Sequence, residues 1–373
     1  MPALLEARHV SKVFGGGLFD KGGTVALEDF SFALQDAPPT VTAIVGESGS
    51  GKTTLARVLL GLTPPTTGAV LYRGKDVRRM SRGEYRTYLR EVQVIFQDPY
   101  EVYNPFYNVD HVLETPIVKF GLAKSARERR ELIEETLQAV GLRPEETLGR
   151  WPHQLSGGQR QRIMVARALL LRPKVIIADE PVSMVDASLR ATILGSLSKL
   201  NQQYGISLIY ITHDLTTAYQ VSQNIIVLYR GAVVEAGNVE QVIQRPQHPY
   251  TQLLIGSIPL PDPKLPWAAA RSPANIGAPT DRSCRFTSRC PYAMPMCIEK
   301  HPPLYQTNPD RVTACYLYRD AHPLQTDEVT SVFVGAALTG AALSNVGGAG
   351  SAGGSDGVGA IRGEESSLPP AGP

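Results

Sequence analysis

The stretch Gly46-Glu47-Ser48-Gly49-Ser50-Gly51-Lys52-Thr53 constrains the fold more than any other part of the chain. It matches G-x-x-x-x-G-K-[ST], a loop that cradles phosphate. An apolar run, Val41-Thr42-Ala43-Ile44-Val45, precedes it and reads as a buried strand. Thr54 to Leu60 follows and reads as the start of a helix. Glycines permit positive φ, so successive backbone N–H groups can wrap an anion, and the helix N-terminus adds its dipole. Gly46, Ser48, Gly49, Ser50 and Gly51 therefore supply backbone donors, with Thr54 beside them. Lys52 reaches β- and γ-phosphates as a point charge, and the Thr53 hydroxyl suits Mg²⁺.

The features after this loop fall where an open α/β sheet places ligand-contacting groups, at strand C-terminal ends and helix N-termini. Val92 to Phe96 reads as a strand ending in Gln97, with Asp98-Pro99 breaking regular structure. Leu155-Ser156-Gly157-Gly158-Gln159 opens a helical run from Ile163 to Leu171 that Pro173 stops. Ser156 is a plausible cap, making this a second anion-ready helix N-terminus. Val175-Ile176-Ile177-Ala178 reads as a doubly buried strand that delivers Asp179 and Glu180 at its tip. Asp179 can hold Mg²⁺ opposite Thr53 through water, and Glu180 can polarise a water near a γ-phosphate. Ile206 to Thr212 is a further strand that delivers His213, placed to contact that phosphate.

The remaining segments frame this core. Leu5 to Val10 and Thr24 to Leu27 read as antiparallel strands around a glycine-rich loop, Gly15 to Gly23. Phe14, just before that loop, suits an aromatic that stacks on a base. Ala69 to Tyr72 is another short strand. Residues 107–150 read as mostly helical, with the charges of 126–137 on a solvated face around an apolar stripe. Ile225 to Tyr229 and Ala232 to Glu235 read as a hairpin turning at Arg230-Gly231, and a helix at Gln241 stops before Pro246.

Lys and Arg total 37 against 35 Asp and Glu, a balance that gives no argument for nucleic acid. No charged n-region and apolar h-region open the chain, and no run of about 18 apolar residues exists, so neither a signal peptide nor a membrane span is expected. The nearest apolar stretch, Val332 to Leu338, dissolves into Gly, Ser and Asn. Residues 325–373 are rich in Gly, Ala and Ser and are expected to be disordered.

Taken in order, these motifs resemble the nucleotide-binding subunit of an ATP-binding cassette (ABC) transporter over residues 4–245. Leu155-Ser156-Gly157-Gly158-Gln159 is the most specific element, since a phosphate loop alone also admits kinases, GTPases and helicases. The resemblance implies a P-loop NTPase fold of class α/β. Its parts would be a RecA-like mixed-sheet core, an N-terminal antiparallel β subdomain, and an inserted α-helical subdomain at about 98–165. It implies ATP and Mg²⁺, with each ATP held between the P-loop of one chain and Ser156 to Gln159 of a second. Phe14 resembles the adenine-stacking aromatic. Gln97 resembles the glutamine that senses Mg²⁺ and couples to the membrane subunit. Glu180 would be the general base, Asp186 the D-loop aspartate, and His213 the switch histidine, with Lys52 and Gln97 completing the catalytic group. Met184-Val185 departs from the usual D-loop sequence, but Asp186 is kept.

His248-Pro249-Tyr250-Thr251 and a Pro-rich extension over 246–320 are similar to oligopeptide and dipeptide importer ATPases, as is Gln97-Asp98-Pro99-Tyr100 with Asn104-Pro105. That implies two transmembrane permeases, a second ATPase subunit, an extracytoplasmic solute-binding protein, and a peripheral place on the cytoplasmic membrane face. Phe96 to Tyr107 would lie near the permease contact. The same machine importing oligosaccharides or another small solute is the first alternative, and a soluble ABC ATPase is the second.

All four cysteines, Cys284, Cys290, Cys297 and Cys315, fall in the extension with spacing C-x5-C-x6-C-x17-C. In an intracellular chain such clustering argues for metal before disulfides. Zinc favours closer pairs than any present here. Four thiolates suit a [4Fe–4S] cluster, and peptide-importer ATPases resembling this one can carry one there. Zinc, unmetallated thiols and a disulfide stay open. Arg282, Arg285 and Arg289 are expected to offset thiolate charge.

Overall fold

The computed structural model describes residues 2–15, 23–98, 103–183, 185–258, 272–274, 278, 280 and 282–333. Sequence expectations at Gly16 to Gly22, Pro99-Tyr100, Met184 and beyond Phe333 lie outside those residues.

The core is a mixed sheet built on the apolar runs. β3 (Val41–Val45), β7 (Val175–Asp179), β8 (Ser207–Thr212) and β9 (Asn224–Tyr229) are buried along their whole length. β6 (Val92–Ile95) completes a parallel set in the order β9-β3-β8-β7-β6. Strand side chains alternate between faces, so each strand feeds two apolar layers. Val41, Ala43 and Val45 enter one core, with Ile163, Ile176 and Leu208. Ile44 enters the other, with Leu55, Ile177 and Ile209.

The second layer lies under a four-stranded antiparallel sheet, ordered β2-β1-β4-β5. Its strands are β1 (Leu5–Phe14), β2 (Thr24–Leu34), β4 (Thr67–Tyr72) and β5 (Lys75–Asp76). Both N-terminal strands run longer than the sequence reading gave them. α1 (Lys52–Leu59) packs between the sheets and starts at Lys52, two residues before the expected Thr54. α2 (Arg82–Glu91), which the motif reading passed over, is closed by a reciprocal Ser81–Glu84 capping box.

The expected helical region is α3 (Val109–Phe120), α4 (Ala126–Ala139) and the short α5 (Pro144–Thr147). On α4, Ile133 and Leu137 are buried, while Arg127–Glu131 and Arg130–Glu134 pair along the wet face. α6 (Gly157–Leu169) packs on α3 and α4 and against β6, joining this region to the sheet. α7 (Ala187–Tyr204) and α8 (Leu215–Val221) follow β7 and β8.

The hairpin from β9 to β10 (Ala232–Asn238) forms as expected. Arg230 (φ 47°) and Gly231 (φ 83°) are both left-handed, as a two-residue type I′ turn requires. α9 (Val239–Gln244) and α10 (Pro249–Gly256) come next.

The C-terminal extension is woven into the same sheet. α11 (Met296–Glu299) lies among the cysteines. β11 (Leu304–Asn308), β12 (Arg311–Thr313) and β13 (His322–Leu324) extend the sheet antiparallel from β10, in the order β13-β11-β12-β10. At the junction Gly237 (φ 152°) lets the backbones meet, since a Cβ there would stand 2.1 Å from the Asp310 carbonyl oxygen.

One expectation is overturned. Disorder was expected from residue 325, but Thr326–Val332 forms a 3₁₀ helix. Val329, Val332 and Phe333 are buried, and Phe333 packs on Phe32 with ring centroids 6.2 Å apart. These apolar residues precede the Gly/Ala-rich composition on which the expectation rested, and β2 supplies a partner surface.

Candidate functional site

The phosphate loop sits between β3 and α1, as its flanks require. Gly46 (φ 154°), Gly49 (φ 79°) and Gly51 (φ 105°) all take conformations that favour glycine. A Cβ on Gly46 would approach the Leu228 carbonyl oxygen to 2.2 Å, and one on Gly51 the Ala26 carbonyl oxygen to 2.3 Å. The loop is thus locked against β2 and β9 while Ser48, Gly49 and Thr53 stay exposed. Lys52 is buried and folds back, donating to the carbonyls of Gly46 (2.7 Å) and Glu47 (2.9 Å). Burial pulls its pKa down, against the charges of Glu180, Asp179 and Glu47. An ammonium placed this way can exchange the two carbonyls for phosphate oxygens.

β7 delivers its two carboxylates into different settings. Asp179 is 6% exposed, and its Oδ1 is buried with no hydrogen-bond partner among the described residues. Burial raises its pKa, opposed by a hydrogen bond from Thr53 and by Lys52. A buried carboxylate oxygen with free lone pairs beside a threonine hydroxyl fits a hard, oxygen-preferring cation such as Mg²⁺.

Glu180 turns the chain with φ 46°, a left-handed conformation for a residue bearing a Cβ. Such strain persists only where surroundings over-determine it. Here the Glu180 N–H donates to the Ile211 carbonyl (2.8 Å). The side chain is then held from both sides. Gln97 Nε2 donates to Glu180 Oε2 (3.2 Å), and His213 Nδ1 lies 3.0 Å from Glu180 Oε1. The tips of β6, β7 and β8 thereby bring Gln97, Glu180 and His213 into one hydrogen-bonded cluster. The His213 side chain remains 57% exposed, free to face a ligand.

Ser156 caps α6 in a reciprocal box. Its Oγ accepts from the Gln159 N–H (3.2 Å), and Gln159 Oε1 accepts from the Ser156 N–H (2.9 Å). Such a cap is worth about 1 kcal/mol to the helix. Gly158 packs under Leu189 of α7, where a Cβ would stand 2.7 Å from that side chain. No hydrogen bond among the described residues links Ser156 to Gln159 with residues 46–53. Asp186 is the exposed N-cap of α7. Phe14 is 47% exposed at the end of β1, with the Lys12 ammonium 5.0 Å from its ring centre.

A model for the ABC transporter family matches residues 27–183, and one for the oligopeptide/dipeptide transporter C-terminal region matches residues 234–297. The chain is 39% identical to YkfD of Bacillus subtilis, a putative oligopeptide transport ATP-binding protein, over 85% of this chain and 96% of that protein. This chain belongs to the ATP-binding subunits of the ABC transporter family. It is also 37% identical to the oligopeptide transport ATP-binding protein OppF of Haemophilus influenzae, over 84% of this chain and 96% of that protein. Among solved structures it resembles the dimeric ATP-binding cassette MJ0796 in a post-hydrolysis state with ADP and Pi. That likeness has a TM-score of 0.56 and 29% identity, covering 63% of this chain and 98% of that one.

The strand tips thus gather Asp179, Glu180, His213 and Gln97, and α1 and α6 present two separate helix N-termini. The extension adds contacts that motif reading missed. Tyr250 is buried, and its hydroxyl accepts from the Glu47 N–H of the phosphate loop (2.8 Å). His248 caps α10, its Nδ1 accepting from the Tyr250 N–H (3.0 Å). Glu235 is fully buried and accepts from the N–H groups of Gln247 (3.1 Å) and His248 (2.9 Å). His-Pro-Tyr was the visible signal, although its spacing alone does not say what the tyrosine touches.

The four thiols line one small pocket, together with His248, Phe286 and Tyr316. Burial pushes Cys290 up to about 11 and Cys315 to about 12, and Cys284 upward as well. No group of three or more His, Cys, Asp or Glu among the described residues is arranged to hold a single metal ion. Arg285 and Arg289 do not serve the thiols as expected. Arg285 pairs with Glu28 of β2 and Arg289 with Glu47 of the phosphate loop.

Proposed function

We propose that this chain binds and hydrolyses ATP at a site completed by a second ATPase subunit, and that hydrolysis powers import of oligopeptides or dipeptides. The observation that carries the reading is Glu180, clamped between Gln97 and His213 one residue beyond Asp179. Lys52 and the loop amides would hold the β- and γ-phosphates, with Phe14 against the base. Ser156, Gly157, Gly158 and Gln159 of the partner would close on the γ-phosphate, with Asp186 bridging the two chains. Thr53, Asp179 and Gln97 would hold Mg²⁺, which when bound neutralises charge on the phosphates. Glu180 accepts a proton from the attacking water, and His213 fixes the γ-phosphate while ordering the carboxylate. Residues 4–245 act as the cassette, with 98–165 as its helical subdomain, and 246–320 as an extension that shares its sheet.

The output surface is a groove of about 570 Å³ lined by Phe96, Tyr103, Tyr107, His111, Val112 and Phe120. It lies beside Gln97, between the sheet and the helical region, and suits a helix from one of two permeases. No described helix is long and apolar enough to cross a membrane, so contact with the cytoplasmic membrane face would run through that groove. A solute-binding protein outside would deliver the peptide. The match of residues 234–297 to the peptide-transporter C-terminal region favours peptide over oligosaccharide cargo. The test is ATPase turnover of Glu180→Gln. A drop of about 10²-fold or more with ATP still bound is expected, and unchanged turnover would refute the assigned base.

The thiol pocket is proposed to hold a [4Fe–4S] cluster through Cys284, Cys290, Cys297 and Cys315. Cys284, Cys290 and Cys315, which burial holds toward the neutral form, would be stabilised as thiolates by metal. Cys284, Cys290, Cys297 and Cys315, which line one pocket, would hold the cluster through their sulfurs. Protein purified anaerobically should be brown and hold about four iron and four sulfide per chain. Colourless, iron-free protein with the same stability would remove the cluster.

A further inference from the structure

The phosphate loop of this chain carries a carboxylate, Glu47, next to the place where a polyanion must bind. Like charges at such range oppose binding. Glu47 is met by a residue of the C-terminal extension. Arg289 makes a bidentate pair with it, Nη1 to Oε2 at 2.9 Å and Nη2 to Oε1 at 3.0 Å. The guanidinium is held over two rings, 5.8 Å from the centre of Tyr229 and 5.6 Å from that of Phe286. Nη1 also donates to the Tyr229 hydroxyl (3.4 Å). The backbone of the same residue is held separately, the Glu47 N–H donating to the buried Tyr250 hydroxyl at 2.8 Å. Tyr229, Tyr250 and Phe286 pack on one another with centroids 4.5 to 5.6 Å apart, forming a rigid base.

We propose that Arg289 and Tyr250 are positioning residues for the phosphate loop, with Arg289 neutralising Glu47 so that the loop accepts a triphosphate. This rests on the ATP-binding reading above. A fork fits a carboxylate with both oxygens, and ring stacking fixes it at little entropic cost. The pair is about 40% exposed on each side, so solvent and salt reduce its effect. Arg289 directly precedes Cys290, and Phe286 and Cys290 both line the thiol pocket. Whatever orders those thiols therefore also orders the arginine that meets Glu47.

The test is the Kd of a fluorescent ATP analogue and the KM for ATP in the assembled transporter. Arg289→Met should weaken ATP binding about three- to tenfold, with the loss in KM rather than kcat and shrinking as salt rises. Adding Glu47→Gln to Arg289→Met should recover most of the loss, which a purely structural role for the arginine would not allow. Arg289→Lys, which keeps charge but not the fork, should fall between. Tyr250→Phe should weaken binding without the salt dependence. Should Arg289→Met fail to fold, Arg289→Lys with and without Glu47→Gln carries the same comparison. Wild-type affinity in Arg289→Met, or a loss that Glu47→Gln does not relieve, overturns the proposal. Failure of the wild-type chain to bind ATP would instead sink the ATPase reading.

Discussion

Glu180, just past the end of β7, and Glu235, within β10 of the same sheet, are two carboxylates with opposite surroundings. Glu180 is at a strand tip with a strained backbone and two side-chain partners, and its side chain stays partly exposed. Glu235 is sealed in β10, and burial raises its pKa from 4.5 to about 7, against the amides of His248 and Gln247 and the charge of Arg311. Between those values the folded chain holds a proton that the unfolded chain has released. This group's contribution to stability is therefore full below about pH 4.5 and lost as pH rises through about 7. Glu235→Gln keeps an acceptor for both amides but cannot ionise. Its Tm relative to wild type should climb as pH is raised from about 5 to about 7. A constant difference across that range would show that Glu235 does not titrate there.

At the scale of elements, the junction between β10 and β12 decides how the extension is held. Gly237 pairs with Arg311 and takes a φ that a side chain resists, with Asp310 in the way. Gly237→Val should cost about 2–3 kcal/mol through strain and a broken register, read as a lowered midpoint in denaturant unfolding. A midpoint equal to wild type would mean the extension is not braced there. The same junction marks where sequence reading stopped. The buried parallel strands were legible because continuous apolar runs ending in Gln97, Asp179-Glu180 and His213 permit few other placements. The helices were legible from Ser156 as a cap and from the charges around an apolar stripe on α4. Pairing of β11 and β12 with β10 was not, since short strands such as Arg311–Thr313 have no periodicity of their own and gain their order from a distant partner. For the same reason Arg289 was assigned to the thiols beside it in sequence, whereas its partner, Glu47, lies 242 residues away.

For the whole molecule, the two helix N-termini carry the proposal that one chain supplies half of each nucleotide site. α1 starts after Gly51 and α6 after Ser156, and of these two ends it is α1 that lies beside Asp179, which takes a hydrogen bond from Thr53. The α6 end has its Ser156–Gln159 cap already formed, and in the proposed function it meets a γ-phosphate held by another chain. Gln97 donates to Glu180 and directly follows Phe96 of the groove, so in the proposed function the γ-phosphate and a permease would meet at one side chain. The extension closes the arrangement from the opposite side through Glu47. The most direct test of this account is uptake of labelled peptide, with ATP turnover, by vesicles holding the complete transporter with wild-type or Glu180→Gln chain. The account predicts ATP-dependent peptide uptake in the wild type. In the variant it predicts retained ATP binding, turnover lowered about 10²-fold or more, and no sustained uptake. Equal uptake by the two, or ATP turnover that no peptide substrate is coupled to, would contradict it.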